Sequence, residues 1–263
     1  MIAFLLAAAL AQAPTLQQRL ALPLPEQRRL LVERIRTDVR KSAPSAATPA
    51  LDRALEIIGK LPREDFVAPE GRRFAYVDTP QQIGYEQTIS DPYVVAIMTA
   101  ALDLPPAANV LDVGTGSGYQ AAVLSSLAAK VWSFEIVDPL AKAAAKRLKR
   151  MGYRNVAVRS GDGFAGWPES APFDGIIVAA GSATVPQPLI DQLKPGGRLV
   201  MPIGKSQVFE QLLVITKQLD GSLSRCSLGW AMFVPLTGKG QTPDDPRALF
   251  DRSVPLCHGN PIT

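Results

Sequence analysis

The run Val110-Leu111-Asp112-Val113-Gly114-Thr115-Gly116-Ser117-Gly118-Tyr119 carries the densest chemical signal in the chain. It reads as a buried strand breaking into a glycine turn and then a helix. Glycines let the backbone approach a ligand with no Cβ in the way, and the helix that follows presents free N–H groups at its start. Such a loop holds a dinucleotide, holds a nucleoside with a charged arm, or is a tight turn with no ligand. Dinucleotides favour G-x-G-x-x-G. Here the third glycine, Gly118, comes one place early, and Tyr119 holds the dinucleotide position. Asp112 adds to the distinction, because a carboxylate beside the loop opposes a pyrophosphate and favours a sulfonium or ammonium group. Glu135 ends the next apolar run, where a carboxylate can accept both hydroxyls of an unphosphorylated ribose. Gly161-Asp162-Gly163 ends a third, where an aspartate can meet an adenine amino group. The structural alternatives are a helix start near Asp138 and a plain turn at Asp162. Three such positions at successive strand ends favour one nucleoside site.

Bringing these strand ends together requires strands that alternate with helices, and the chain supplies them from residue 92 onward. β-rich runs at 109–113, 130–135, 156–160, 173–178, 197–202 and 211–217 alternate with helical stretches at 92–102, 118–128, 138–151 and 186–194. Continuous apolar strands separated by helices specify an α/β fold, a doubly wound, mostly parallel, Rossmann-like sheet with helices on both faces. Upstream, residues 22–41 read as a basic amphipathic helix with Leu30, Leu31, Ile35 and Val39 as its apolar positions. Residues 42–49 read as a linker by composition. Leu51, Leu55, Ile58 and Leu61 mark a second helix that ends near Pro62, and residues 63–89 read as irregular. The expected organisation is an apolar, signal-like segment at 1–13, a helical extension and linker at 14–50, the sheet domain at 51–236, and a polar tail at 237–263 read as loop.

Composition excludes several classes. With 263 residues, 47% hydrophobic and 20% charged, the chain is neither disordered nor collagen-like. The net charge of +4 is too small to specify a nucleic-acid surface, so no nucleic-acid partner is expected. No apolar run is long enough to span a bilayer, so no stable membrane association is expected. A Ser-His-Asp hydrolase would have to use His258, the single histidine, near the C-terminus. A Cys/His zinc site would have to use Cys226, Cys257 and His258, whose spacing matches no common pattern, so no metal is expected. The two cysteines can form one disulfide in an oxidising compartment, but spacing does not settle their partnership. Residues 2–11 are uncharged and apolar, and Ala9-Leu10-Ala11 and Ala11-Gln12-Ala13 are small-x-small sites. This resembles the core of a secretory signal, without its basic leading region. A monomer is expected.

The G-x-G-x-G spacing of Gly114, Gly116 and Gly118 resembles the first motif of class I S-adenosylmethionine-dependent methyltransferases, where the loop cradles a cationic amino-acid end. A second stretch, Ile83-Gly84-Tyr85-Glu86-Gln87-Thr88-Ile89-Ser90-Asp91-Pro92-Tyr93, narrows the resemblance. With Leu61-Pro62-Arg63-Glu64-Asp65-Phe66-Val67, Ala171-Pro172-Phe173-Asp174, Lys194-Pro195-Gly196-Gly197 and Phe233-Val234-Pro235-Leu236, residues 52–236 resemble the protein-L-isoaspartate (D-aspartate) O-methyltransferases. The Gln87-Thr88-Ile89-Ser90 loop is the part specific to that family. The resemblance implies methyl transfer from S-adenosyl-L-methionine, leaving S-adenosyl-L-homocysteine, to the free carboxylate of L-isoaspartyl and D-aspartyl residues in damaged proteins or peptides. It implies that Ser90 is the active-site residue, with Thr88 as a second hydroxyl contact. Asp112, Gly114, Thr115, Gly116, Ser117, Gly118, Glu135, Asp162 and Gly163 are the expected cofactor-binding set. Ser90 also reads as the N-cap of helix 92–102, with Pro92 in the first turn. Two departures stand out: Glu86 replaces the usual glycine before Gln87, and Ala231-Met232 stand where an arginine often precedes Phe-Val-Pro-Leu. The alternatives are a carboxyl methyltransferase with another acceptor and a non-catalytic, exported binding module. A donor made where ATP is available favours the cytoplasm, the expected compartment, whereas residues 2–11 favour export to the periplasm.

Overall fold

The computed structural model describes residues 14–205, 209–239, 251 and 253–258. The signal-like segment expected at 1–13 lies outside the described residues. Helices α1 (Leu16–Leu20), α2 (Leu24–Ser42) and α3 (Pro49–Ile58) lead to a hairpin of β1 (Gln81–Gly84) and β2 (Gln87–Ile89), then to α4 (Pro92–Leu102). Alternation follows with β3 (Ala108–Val113), α5 (Tyr119–Ser125), β4 (Ala128–Glu135), α6 (Asp138–Arg150), β5 (Val156–Ser160), β6 (Phe173–Val178) and α7 (Gln187–Asp191). It closes with β7 (Leu193–Lys205), β8 (Phe209–Lys217) and β9 (Leu223–Ala231).

The main sheet has the order β5-β4-β3-β6-β7-β8-β9. The first five of these pair in parallel, and β8 and β9 add antiparallel. From β3 the chain runs outward to β4 and β5, then returns to β6 on the other side of β3. That reversal opens a crevice at the carboxyl ends of β3 and β6. Both faces are covered: Val110 of β3 packs with Leu55, Val95, Met98 and Leu124, while Leu111 and Val113 pack with Phe134, Trp167, Ile176 and Leu199. Burial on both faces explains why these strands are continuously apolar.

The N-terminal extension belongs to this core. Leu31, Val32, Ile35 and Val39 of α2 share a cluster with α3 and α4, so α2 covers a face of the domain. The expected linker is tied down too, with Ala43 and Ala46 buried. Several boundaries differ from expectation. The helix expected at 118–128 ends at Ser125, because Ala128 already begins β4. The region read as irregular contains the β1–β2 hairpin, turned by Tyr85 and Glu86 at φ 54° and 58°. Non-glycine residues at a two-residue turn of this hand hide it from a search for Asn-Gly or Gly-Gly. Part of the polar tail is also held: Ser227 N–H donates to Pro255 O at 2.9 Å, Cys257 N–H donates to Ser227 O at 2.9 Å, and Cys226–Cys257 is a disulfide. Among the described residues, no helix is long and apolar enough to cross a membrane.

Candidate active site

A cleft of about 310 Å³ lies at the carboxyl ends of β3, β4 and β6. One half is walled by Gly114–Ser117, Glu135, Ile136, Gly161 and Gly163. The other is walled by Gln87–Asp91 and by Trp230–Thr237. Both halves follow from the topology, because the strand ends supply the first and the hairpin leading into α4 folds over to supply the second.

The glycine loop turns at once after β3. Gly114 sits at φ 97°, a conformation that disfavours any side chain. Its N–H and that of Thr115 both donate to Phe134 O, at 2.8 and 2.9 Å, which ties the loop to β4. Glu135 is buried at the end of β4. Its carboxylate accepts from Gly116 N–H at 2.7 Å and from Val137 N–H at 2.9 Å. A carboxylate has about four lone-pair sites, so Glu135 retains acceptor capacity on the cleft wall.

Asp112 lies behind the loop and off the cleft wall. In register with Ser133 across β3 and β4, it accepts the Ser133 hydroxyl at 2.7 Å. Since Ser133 spends its proton there, the close Thr115–Ser133 contact has Thr115 as donor. The chain Thr115, Ser133, Asp112 thus fixes a loop side chain that faces the cleft. Asp112 Oδ1 is buried with no partner among the described residues. Burial pushes the Asp112 carboxyl up to about 7, against the Ser133 hydrogen bond, and the Glu135 charge adds to the rise.

Two other expected ligands also lie off the wall. Gly118 is the N-cap of α5 at φ 89°, where a Cβ would sit 3.2 Å from Leu148 Cδ1, so it serves the packing of α5 on α6. Asp162 caps the short turn after it, accepting from Phe164 N–H at 2.9 Å, and its other oxygen accepts from Lys239 N–H at 2.7 Å. Its neighbour Gly163 reaches the cleft.

Ser90 and Thr88 face the cleft from the hairpin side, both half-buried. Ser90 is not the helix cap. Asp91 is, accepting from Val94 N–H at 2.8 Å, and burial raises its carboxyl above the ordinary range. The capping role falls one residue later because Pro92 begins the helix, which leaves the Ser90 side chain available to the cleft. Sequence reasoning assigned no role to Arg63, yet it is fully buried. Its guanidinium donates to Ser90 O at 2.7 Å and to Ala75 O at 3.0 Å, and lies 4.8 Å from the Tyr119 ring centroid. It therefore links the Ser90 segment to the first residue of α5. An arginine just after Leu61-Pro62, with no apolar period around it, was the only signal available. Glu86, the departure from the family pattern, is exposed at the hairpin turn, where its charge is solvated.

The wall suits a nucleoside with a cationic arm. Among the described lining residues there is no lysine, arginine or histidine to pair a phosphate, and the acidic ones are Asp91 and Glu135. The unpartnered Asp112 oxygen behind the loop gives the floor negative character when ionised. Among the described residues, no cluster of His, Cys, Asp and Glu is placed to hold a metal.

Comparison with known proteins bears on this geometry. The sequence model of the protein-L-isoaspartate(D-aspartate) O-methyltransferase family matches residues 43–241. A protein-L-isoaspartate O-methyltransferase 2 from Syntrophobacter fumaroxidans is 47% identical over 217 residues, covering 82% of this chain and 88% of its own length. A namesake from Polaromonas is 46% identical over 80% of this chain and 100% of its own. A solved protein-L-isoaspartate O-methyltransferase superposes with a TM-score of 0.67 at 27% identity, over 80% of this chain and 67% of that one. A Plasmodium falciparum beta-aspartate methyltransferase, solved in complex with S-adenosyl-L-homocysteine, gives a TM-score of 0.66. At 23% identity, over 80% of this chain and 98% of that one, it shares the fold. The span of the family model takes in the Ser90 hairpin, the glycine loop and the segment around Phe233, and the chain belongs to the protein-L-isoaspartate(D-aspartate) O-methyltransferase family.

Proposed function

We infer that this protein transfers a methyl group from S-adenosyl-L-methionine to the free carboxylate of L-isoaspartyl and D-aspartyl residues in damaged proteins or peptides, which starts their repair. One observation carries the reading: a single cleft joins a nucleoside-type glycine loop to the hydroxyl-bearing Thr88–Ser90 strand, with no basic side chain or histidine on its described wall.

When bound, the donor supplies a methyl group already activated by its sulfonium. A carboxylate acceptor is ionised at neutral pH, so the chain has no proton to remove. Its task is to position the acceptor and exclude water. Ser90 and Thr88 donate their hydroxyl hydrogens to the acceptor carboxylate and orient one oxygen. Arg63 acts as a positioning residue by holding the Ser90 carbonyl. Glu135 accepts the ribose hydroxyls, while Gly114, Thr115, Gly116 and Ser117 enclose the amino-acid arm and Gly163 admits the base. Asp112 acts from behind, through Ser133 and Thr115 and through its charge. Gly118 serves by packing, and Asp162 by shaping the Gly163 turn.

The test follows the fate of an isoaspartyl peptide by chromatography after incubation with enzyme and donor. A methyl ester that closes to a succinimide and opens partly to the normal aspartyl peptide supports the reading. Recovery of unchanged peptide, with donor demonstrably bound, excludes it in favour of another carboxyl acceptor. We assign a monomer, testable by light scattering.

Two features bear on compartment. The need for a donor made where ATP is available supports the cytoplasm, while the Cys226–Cys257 disulfide supports an oxidising compartment. Intact mass after thiol alkylation of protein taken from its source separates them. A chain starting at Met1 with two alkylated thiols is cytoplasmic. A chain starting at Gln12 with none is exported.

A further inference from the structure

Three exposed large apolar side chains, Ile136, Trp230 and Met232, border the cleft. Trp230 is 41% exposed and Met232 is 63% exposed, and both line the same cleft as Thr88 and Ser90. Resting on the isoaspartyl reading above, we propose that Trp230 and Met232 form an apolar shelf that contacts the side chains flanking the isoaspartyl residue, so that the enzyme prefers substrates with bulky apolar flanks.

The backbone is built to present this shelf. β9 pairs with β8 in regular register up to Ser227, and the pairing then slips between Gln211 and Leu213. Gly229 takes up the irregularity at φ 125°, and its N–H donates to Ser227 Oγ at 3.1 Å. A bulge of this kind re-aims the side chain that follows it; here that side chain is Trp230. Beyond it the strand is pinned. Phe233 N–H donates to the buried Glu210 carboxylate at 2.9 Å, Gly181 N–H donates to Val234 O at 2.8 Å, and Leu236 N–H donates to Gly181 O at 2.7 Å. The backbone that carries the shelf is therefore fixed before substrate arrives, which lowers the ordering cost of binding.

The occupant follows from the size of the cleft. About 310 Å³ is the lower end of what a small ligand fills. A cleft of that size admits small groups such as a carboxylate-bearing side chain, not a polypeptide. A peptide whose isoaspartyl carboxylate reaches Ser90 must lay its neighbouring residues across the rim, where Trp230 and Met232 are exposed beside the cleft. Ala231 and Met232 bring no charge to this wall, and no described lining residue is basic. Flank recognition here is thus apolar rather than ionic.

The experiment measures kcat/KM for isoaspartyl hexapeptides identical except at the two flanking residues, which are Leu, Phe, Ala, Lys or Glu. The wild-type enzyme is expected to favour the Leu and Phe peptides over the Ala peptide by about fivefold or more through KM, as covering part of one apolar side chain should give. Trp230→Ala and Met232→Ala should each collapse that ratio toward one, and Met232→Leu should retain it. Donor binding by each variant confirms its fold. A wild-type ratio near one, a Lys-flanked peptide as the best substrate, or variants that keep the wild-type ratio would overturn the proposal while leaving the isoaspartyl reading intact. Methylation of none of the peptides would overturn both.

Discussion

Replacing Asp112 by asparagine should stabilise the ligand-free protein at neutral pH while weakening its grip on the donor. The side chain is fully buried, its Oδ1 has no partner, and its carboxyl is pushed up to about 7. In the unfolded chain it titrates near 3.8. Between about pH 4 and pH 7 the folded protein therefore holds a proton that the unfolded chain has lost, and stability falls as pH rises through that window. A difference of about three pK units, at about 1.4 kcal/mol each, makes the full penalty about 4 kcal/mol above pH 7. The asparagine side chain keeps the shape and still accepts the Ser133 hydroxyl, but has no charge to bury. Urea unfolding of both proteins without donor, at pH 4.5, 5.5, 6.5 and 8, should show the variant gaining on the wild type as pH rises, to about 2–4 kcal/mol at pH 8. Titration calorimetry at pH 8 should show donor affinity reduced about tenfold, because the negative floor under the loop is gone. A stability difference that stays flat across the pH range would refute the reasoning about burial. Unchanged donor affinity would refute the assigned role of the charge.

Three further outcomes follow from the site. Ser90→Ala should lower kcat/KM for an isoaspartyl peptide by about 10- to 100-fold with donor affinity kept, since it removes an orienting hydroxyl on the acceptor side only; equilibrium dialysis and initial rates check it. Arg63→Met should cost about 2–4 kcal/mol in urea unfolding, because it strands the Ala75 and Ser90 carbonyls. Arg63→Lys should recover part of that stability and leave a raised peptide KM. Reducing Cys226–Cys257, which are 31 residues apart, should cost about 3–4 kcal/mol by the loop-entropy estimate. Neither cysteine borders the cleft, so donor affinity measured with and without reductant should not change.

The sheet was readable from sequence because β3, β5 and β6 are short runs with turn residues at both ends, and β3 and β6 are buried on both faces. Their predicted bounds match closely. β9 was not readable: its first half, Leu223-Ser224-Arg225, is exposed at the sheet edge, and Gly229 breaks the alternation. The β1–β2 hairpin was hidden by its polar strands and by a turn without glycine at its two central positions. At the site, the residue types at the strand ends were legible, and Glu135, Thr115, Ser90 and Thr88 all reach the cleft. Depth was not legible. Asp112 precedes the glycine loop, but strand alternation turns it away from the cleft, onto Ser133. Arg63 escaped notice because its partners, Ala75 and Ser90, are backbone carbonyls 12 and 27 residues away, brought close only by the tertiary fold.

The central claim is that the acceptor is an isoaspartyl carboxylate. Transfer of labelled methyl from S-adenosyl-L-methionine to an isoaspartyl peptide, beside the same peptide with a normal aspartyl residue, tests it most directly. The account predicts base-labile label on the isoaspartyl peptide alone. Label on both peptides, or on neither while the donor is bound, would contradict it.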